Sequence, residues 1–401
     1  MARPVLSVVV PTHNRSQYAL SCIEAVLRIA DNDVQLVVSD TSDDGRLQQA
    51  LAEAPIPFLE DKRFKYVKLE GASNLTKNHN DALTMADGEY VTVIGDDDCI
   101  THAALEAARW ARLHNVTVVS QTVSANYAWP DFRSRMVGRG HAGRLYVPRK
   151  RGGSRWRSGP NDLRQALTKA FQTTESMPRC YHGVVKRDLL ERARTLTGAY
   201  FHGSSPDMSG AVLLANLVDR YVEVDVPLTL PGASGGSNSG RSAMNTHKGE
   251  LAAESQTNGF SGGGWVHGVP KFFSVETVWA HAGLATLEKL SPDLIPDFNF
   301  PLLIALCSAR HPEFSRAIDG ATAELSQYGE DVRSAIQREI VLERARRVRY
   351  LLRRSLLPTA AHGRKYFGGL SGISAASEKF AKYSQEAALD FSLCVAGIER
   401  Q

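Results

Sequence analysis

Tyr90-Val91-Thr92-Val93-Ile94-Gly95-Asp96-Asp97-Asp98-Cys99-Ile100 decides how the chain is read. An apolar, β-branched run stops at a glycine, and three carboxylates follow in a row. Adjacent aspartates repel one another, and aspartate is a poor strand former. Three of them at the end of a buried strand predict a cation at that point. Hard divalent ions such as Mg2+ or Mn2+ take carboxylate oxygens, and Mg2+ binds typically through one or two carboxylates together with substrate phosphates. The competing reading is a solvated acidic turn that caps the helix beginning near Thr101.

Working outward, Val5-Leu6-Ser7-Val8-Val9-Val10 is a second β-branched run and ends at Pro11. Val34 to Ser39 is a third, closed by Asp40-Thr41-Ser42-Asp43-Asp44-Gly45, and Phe64 to Leu69 is a weaker fourth. Helical patterns separate them: one carries Leu20, Ile23, Val26 and Leu27, and another, opened by Asn74, carries Leu75, Ala82 and Leu83. Strand and helix alternating at these spacings predict βαβ units and a mostly parallel, Rossmann-like sheet flanked by helices. Ligands of such sheets sit beyond the carboxyl ends of the strands. Thr12 to Arg15, Asp40 to Asp43, Asp96 to Asp98, and the helix-opening residues Asn74, Lys77 and Asn78 would all face that edge. Arg15 and Lys77 suit phosphates, and Asp40 suits a hydrogen bond from a base or ribose. No Gly-x-Gly-x-x-Gly follows the first strand and no Walker-type loop occurs, which argues against a dinucleotide site and a phosphate-cradling NTPase.

Composition narrows the class. The 401 residues are 43% hydrophobic and 22% charged, ordinary for a globular protein. A net charge of +4, from 47 basic and 43 acidic residues, is too mild to imply nucleic acid. Five dispersed cysteines form no metal-type pair, so a reducing cytoplasm is expected. No signal peptide is visible, and no apolar run approaches the roughly 18 residues of a membrane span.

Val-Val-Val-Pro-Thr-His-Asn-Arg (8–15), Val-Val-Ser-Asp-Thr-Ser-Asp-Asp (37–44) and Gly-Glu-Tyr-Val-Thr-Val-Ile-Gly-Asp-Asp-Asp (88–98) together resemble the nucleotide-binding half of family 2 glycosyltransferases of the GT-A fold, of the bacterial surface-polysaccharide type. The resemblance covers about the first 115 residues well and continues loosely to about residue 245. It implies that Pro11, Thr12 and Arg15 line a nucleotide pocket, that Asp40 contacts the base, and that Lys77 or Asn78 lies near the nucleotide. It implies that the carboxylates are the Asp-x-Asp signature, with one reaching the ribose and one coordinating a divalent metal, Mn2+ or Mg2+. Two alignments compete. Asp96-Asp97-Asp98 read as the signature makes Asp98 the ligand, which is preferred; a paired Asp-Asp makes it Asp97.

Three regions are expected: residues 1–115 as the nucleotide-sugar half, 116–248 as the acceptor half, and 249–401 as a helical C-terminal region. Between Asn126 and Pro160 the chain is rich in Gly, Arg, Ser and Pro, which predicts a mobile lid, an acceptor loop or partial disorder. Ser205-Pro206-Asp207 opens a helix, where an aspartate favours the first turn through the dipole. Inverting sugar transfer needs a base for the acceptor hydroxyl, and the family places a similar segment there, so Asp207 is the candidate. The loop Pro231 to Arg241 is glycine- and serine-rich; its backbone suits close approach to a diphosphate, and Arg241 suits the leaving nucleotide. A C-terminal histidine sometimes completes the metal shell of such enzymes, which makes His247 a candidate against the alternative of a surface histidine. The Gln-x-x-Arg-Trp motif and membrane spans of the processive synthases are missing, which points to single-sugar addition.

Residues 333–357 repeat Val341, Ala345, Val348, Leu352 and Leu356 at helical spacing among many arginines. Such a helix suits an anionic membrane surface or, alternatively, packs on the body with a solvated basic face. The expectation is a metal-dependent, inverting glycosyltransferase in the cytoplasm, peripheral on the membrane. It takes a nucleotide-sugar donor and a glycan or lipid-linked acceptor, with no nucleic acid partner and no oligomeric state implied. A nucleotidyltransferase, or a non-catalytic glycan- or nucleotide-binding relative, is the alternative.

Overall fold

The computed structural model describes residues 3–70, 74–122, 125–150, 152–326, 331–355, 361 and 364–398. Its first half alternates as the sequence pattern requires: β1 (Leu6–Thr12), α1 (Ser16–Leu27), β2 (Val34–Asp40), α2 (Arg46–Ala52), β3 (Phe64–Lys68), α3 (Leu75–Thr84), β4 (Tyr90–Val93), β5 (Cys99–Ile100) and α4 (His102–Leu113). The chain continues through β6 (Val118–Gln121), β7 (Asn126–Ala128), β8 (Arg144–Val147), β9 (Ser154–Ser158), α5 (Gly159–Thr168), β10 (Gly183–Lys186), α6 (Arg187–Thr197), α7 (Pro206–Leu217) and β11 (Arg220–Val224). Two short strands follow, β12 (Thr229–Leu230) and β13 (Gly232–Ala233), and then α8 (Asn238–Met244).

Eight strands form the central sheet in the order β3-β2-β1-β4-β10-β6-β11-β9. The pairs β3–β2, β2–β1, β1–β4 and β6–β11 are parallel, whereas β10 runs against both its neighbours and β9 runs against β11. The β-branched runs of β1, β2 and β4 are buried almost throughout, as strands covered on both faces must be. The α/β arrangement implied by the resemblance is therefore present, a mostly parallel sheet flanked by helices.

The basic stretch expected to be a mobile loop instead contains β7, β8 and β9. Its arginines are not simply solvated. On β9, Arg155 donates to Glu223 of β11 at 2.6 Å, and Arg157 donates to Asp162 at 3.0 Å. Strand β13 pairs with β7, and β12 pairs antiparallel with β5, so the glycine-serine loop is stitched to the segment that follows the three aspartates.

The C-terminal third begins helical, with short β14 (Lys248–Gly249) and β15 (Phe273–Ser274) preceding α9 (Val275–Leu290), α10 (Phe300–Arg310), α11 (Ser315–Ser326) and α12 (Asp331–Ser355). These helices share an apolar cluster with α5 and α7. The last stretch then returns to the first half: β16 (Lys365–Phe367) pairs with β8, while α13 (Ile373–Glu386) and α14 (Phe391–Val395) add Ile373, Phe380, Phe391 and Val395 to the core built around α1 and α4. Ser21 Oγ accepts the Ser374 N–H at 3.2 Å, and Tyr383 donates to the Pro148 carbonyl at 2.7 Å.

On α12, Ile336 is buried, whereas Val341, Val348 and Leu352 are 65%, 58% and 66% exposed. The helix therefore packs by one face and shows a second apolar stripe outward. The Leu356 expected on that stripe, and the side chains of Arg347, Arg353 and Arg354, lie outside the described residues. Among the described residues, no helix is long and apolar enough to cross a membrane. All five cysteines are buried free thiols.

Candidate functional site

β1, β2 and β4 point the same way and end at one edge, with Thr12 and Asp40 opposite each other in register. Because β10 runs the other way, its beginning reaches this edge, and it brings Tyr181 and His182 with it. The three aspartates turn back across the edge beneath the loop after β13.

Each carboxylate is held by a different set of donors. Asp96 accepts the Thr12 hydroxyl at 2.7 Å and Arg15 Nε at 2.7 Å. Asp97 accepts Arg15 Nη2 at 2.8 Å and the Ser234 hydroxyl at 2.6 Å. Asp98 accepts two backbone N–H groups, Gly95 on Oδ2 and Gly232 on Oδ1, both at 2.6 Å. Arg15 also donates to Ser234 Oγ at 2.8 Å and stacks over Tyr18 with its guanidinium carbon 4.6 Å from the ring centre.

All three aspartates are buried, at 5%, 6% and 3% exposure, so the solvated acidic turn is ruled out. None sits in the first turn of α4 either. One guanidinium pairs with two of the three acids, Asp96 and Asp97. Burial, against the pull of Arg15, raises the Asp96 carboxyl to about 6. Burial and the charge of Asp97 push Asp98 up to about 8. The Asp96 and Asp97 charges keep the Arg15 guanidinium firmly protonated despite its own burial. Such a cluster carries more negative charge than its partners neutralise, and its oxygen donors suit a hard divalent ion. By donor type the residues suit the implied metal, although among the described residues no three His, Cys, Asp or Glu side chains converge as a metal-holding group.

Asp207 lies in the first turn of α7, after the N-cap Ser205, as its sequence context predicts. Its Oδ1 accepts the Ser205 hydroxyl and the Met208 N–H, and burial raises its carboxyl above the ordinary range. The phenol of Tyr181, raised well above its usual value chiefly by burial, also feels Asp98, Asp97, Asp207 and Asp96. The Tyr181 phenol thus lies within electrostatic reach of both Asp207 and the three aspartates.

The other expected residues divide. Pro11 and Thr12 close β1 and are buried. Asn78 turns inward: it donates to the Thr12 carbonyl at 3.1 Å and accepts from Ser39 at 2.7 Å, tying α3 to the strand ends. Asp40 is fully buried; it accepts the Ser42 N–H and the Tyr66 hydroxyl, each at 2.8 Å, and so braces its own turn. Lys77 points outward and pairs with Asp81 at 2.5 Å, with its side chain 59% exposed. Arg241 forms a two-pronged pair with Glu254 at 2.9 and 2.7 Å. His247 is not a surface histidine. It is 8% exposed, bonds Ser242 at 2.8 Å, lies 4.8 Å from the Phe273 ring, and is pushed down to about 4 by burial. Its partners do not include the three aspartates; α8 and β15 hold it instead.

Ser234, Gly232, Tyr181 and His182 were not singled out in the sequence. Only the glycine-serine composition of the loop pointed toward the first two. His182 sits in a Cys-Tyr-His-Gly stretch that carries no motif.

Residues 7–173 match the model of the family described as glycosyl transferase family 2. A 106-residue stretch is 34% identical to the GalNAc(5)-diNAcBac-PP-undecaprenol beta-1,3-glucosyltransferase of Campylobacter jejuni, covering 25% of this chain and 32% of that one. A 97-residue stretch is 33% identical to the putative colanic acid biosynthesis glycosyl transferase WcaA of Escherichia coli K12, covering 24% of this chain and 33% of that one. The chain thus spans about a third of the length of the curated relatives it matches. Among solved structures it is similar to S. aureus TarS in complex with UDP-GlcNAc, at a TM-score of 0.41 and 17% identity, over 80% of this chain and 91% of that one. The segment that carries β1 to β9 and the three aspartates, residues 7–173, belongs to glycosyl transferase family 2.

Proposed function

We propose that this chain is a glycosyltransferase that moves one sugar from a nucleotide-sugar donor to a hydroxyl acceptor, with inversion. The observation that carries the reading is the trio of buried, donor-fixed carboxylates at the strand ends, with Asp207 near enough that the Tyr181 phenol feels both. A divalent ion held by Asp98, or by Asp97 on the other alignment, would neutralise charge on the departing diphosphate. Thr12, Arg15 and Ser234 fix the carboxylates before the donor arrives, so little reorganisation is needed on binding. Asp207 accepts the proton of the acceptor hydroxyl as its oxygen bonds to the anomeric carbon and the carbon–oxygen bond to the diphosphate breaks. A carboxyl raised by burial is a better base for this than an exposed one.

A glycan or lipid-linked glycan acceptor is supported by the relative whose name ends in PP-undecaprenol glucosyltransferase, and the outward stripe of α12 supports attachment to an anionic cytoplasmic membrane face. The deciding experiment incubates the chain with a panel of nucleotide sugars and Mn2+ or a chelator, and follows release of the nucleoside diphosphate. Slow hydrolysis of one donor, abolished by the chelator and by Asp98→Ala, is expected. Formation of nucleoside triphosphate and sugar 1-phosphate when pyrophosphate is added would indicate a nucleotidyltransferase, and an inert panel a non-catalytic binding protein.

A further inference from the structure

We infer that His182 is a positioning residue for Asp98, locked by Gln121 and Thr229 in the tautomer that carries its proton on Nε2. The inference rests on the reading of Asp98 as the metal-holding carboxylate.

Gln121, 1% exposed, ends β6. Its Oε1 accepts the backbone N–H of Leu228 at 2.5 Å and of Thr229 at 3.1 Å. Both are obligatory donors, so the amide cannot be turned round, and its nitrogen must be the atom that meets Thr229 Oγ1 at 2.6 Å. The threonine hydroxyl accepts there, and among the described residues its own proton has no hydrogen-bond acceptor other than a ring nitrogen of His182. The ring nitrogen within reach is His182 Nδ1, at 3.0 Å. Nδ1 therefore accepts, and the proton of the imidazole sits on Nε2, which lies 3.5 Å from Asp98 Oδ2.

The surrounding backbone supports a placed ring rather than an incidental one. His182 has φ of 63°, in the left-handed region that non-glycine residues rarely adopt. Its N–H bonds the Val93 carbonyl at 3.0 Å, which anchors it to the strand leading into the aspartates. Gly183 follows, where a Cβ would lie 2.0 Å from the Arg179 carbonyl oxygen, so the turn admits little change. Tyr181 meets the imidazole edge-on at 4.6 Å and brings its hydroxyl to 3.4 Å from the same Oδ2. Asp98 thus has Oδ1 set by Gly232 and Oδ2 crowded by Gly95, Tyr181 and His182. Gly95, Gly232 and Tyr181 are hydrogen-bonded to Asp98, and His182 Nε2 stands at 3.5 Å, the outer edge of donor range. Groups so placed bias the direction in which a carboxylate presents its remaining lone pairs, and losing such a partner typically costs about 10- to 100-fold in metal affinity.

Two measurements on the full chain test this. Long-range 1H–15N correlation of the imidazoles, with His182 identified as the signal missing from His182→Gln, should show the proton on Nε2. In Gln121→Glu the amide donor is gone, Thr229 turns its hydroxyl toward the new carboxylate, and the proton should move to Nδ1. Mn2+ titration by calorimetry should show His182→Leu weakened by about 10- to 100-fold and His182→Gln, which keeps a donor at the same reach, within about tenfold of wild type. A wild-type signal with the proton on Nδ1 overturns the relay. Equal Mn2+ affinity in His182→Leu overturns the positioning role. Wild-type protein that shows the Nε2 proton yet takes up no Mn2+ overturns the metal reading, and the role of His182 with it.

Discussion

Gly232→Ala offers a severe test of how the site is held. The glycine lies where β13 crosses the aspartate turn, and a Cβ placed there would sit 1.8 Å from the Asp97 carbonyl oxygen and 3.0 Å from Trp129 Nε1. Trp129 already donates to that carbonyl at 3.0 Å, and the Gly232 N–H holds Asp98 Oδ1 at 2.6 Å. Reaching ordinary contact at 3.4 Å requires roughly 1.6 Å of separation, and neither side yields easily: one is the backbone between two carboxylates, the other a strand paired with β7. Overpacking of this kind costs about 1–3 kcal/mol in stability. A catalytic group displaced by about 1 Å costs on the order of 100-fold in rate. Urea denaturation followed by fluorescence should show the lowered midpoint. Mn2+-dependent release of nucleoside diphosphate should fall about 100-fold while the far-ultraviolet circular dichroism is kept. An alanine variant within twofold of wild type in turnover, with an unchanged midpoint, would refute the claim that this contact sets the carboxylates.

Asp207→Asn should keep donor binding by calorimetry but lose transfer by about 100- to 10,000-fold; transfer at the native rate would remove Asp207 from the base role. The imidazoles of His79 and His281 are pushed by burial from 6.5 to about 4. Between those values the unfolded chain takes up protons that the folded chain refuses. Stability is therefore intact above pH 6.5 and declines as the pH falls toward 4, by at most about 3 kcal/mol per residue. Urea midpoints at pH 7.5 and 5 should show the fall, and His79→Gln should make it shallower. The chain should sediment with vesicles that contain anionic lipid and not with neutral ones, and be released by salt. Arg344→Glu with Arg349→Glu should lower partitioning at least about tenfold, at roughly 1 kcal/mol per arginine near the surface.

The first half was legible because its signals are local. β1, β2 and β4 are β-branched runs with punctuated ends, and the loops that follow them carry the polar residues. The basic stretch misled because β7 to β9 are short and hold their arginines by pairing with Glu223 and Asp162, partners that a local pattern does not reveal. Asp207 was legible from its Ser-Pro-Asp helix start. Ser234 and His182 were not, since each is defined by a contact across the fold: Ser234 reaches Asp97 137 residues away, and His182 reaches Thr229 47 residues away. The family resemblance suggested His247; in the structure its ring packs on Phe273 and bonds Ser242. Arg241 and Lys77 had plausible ligands by charge, yet each has a carboxylate neighbour on the same segment or nearby that claims it.

The return of α13 onto α1 has a temporal consequence. The ribosome delivers the βαβ half about 250 residues, on the order of tens of seconds, before Ile373, Phe380 and Val395, which share a core with α1 and α4. Until they emerge, the nascent first half stays open there, with Ala19, Cys22 and Trp110 short of their final neighbours. Synthesis of residues 373–398 is then the step that covers this core, and a chain that stalls before residue 370 is left a sticky target for chaperones.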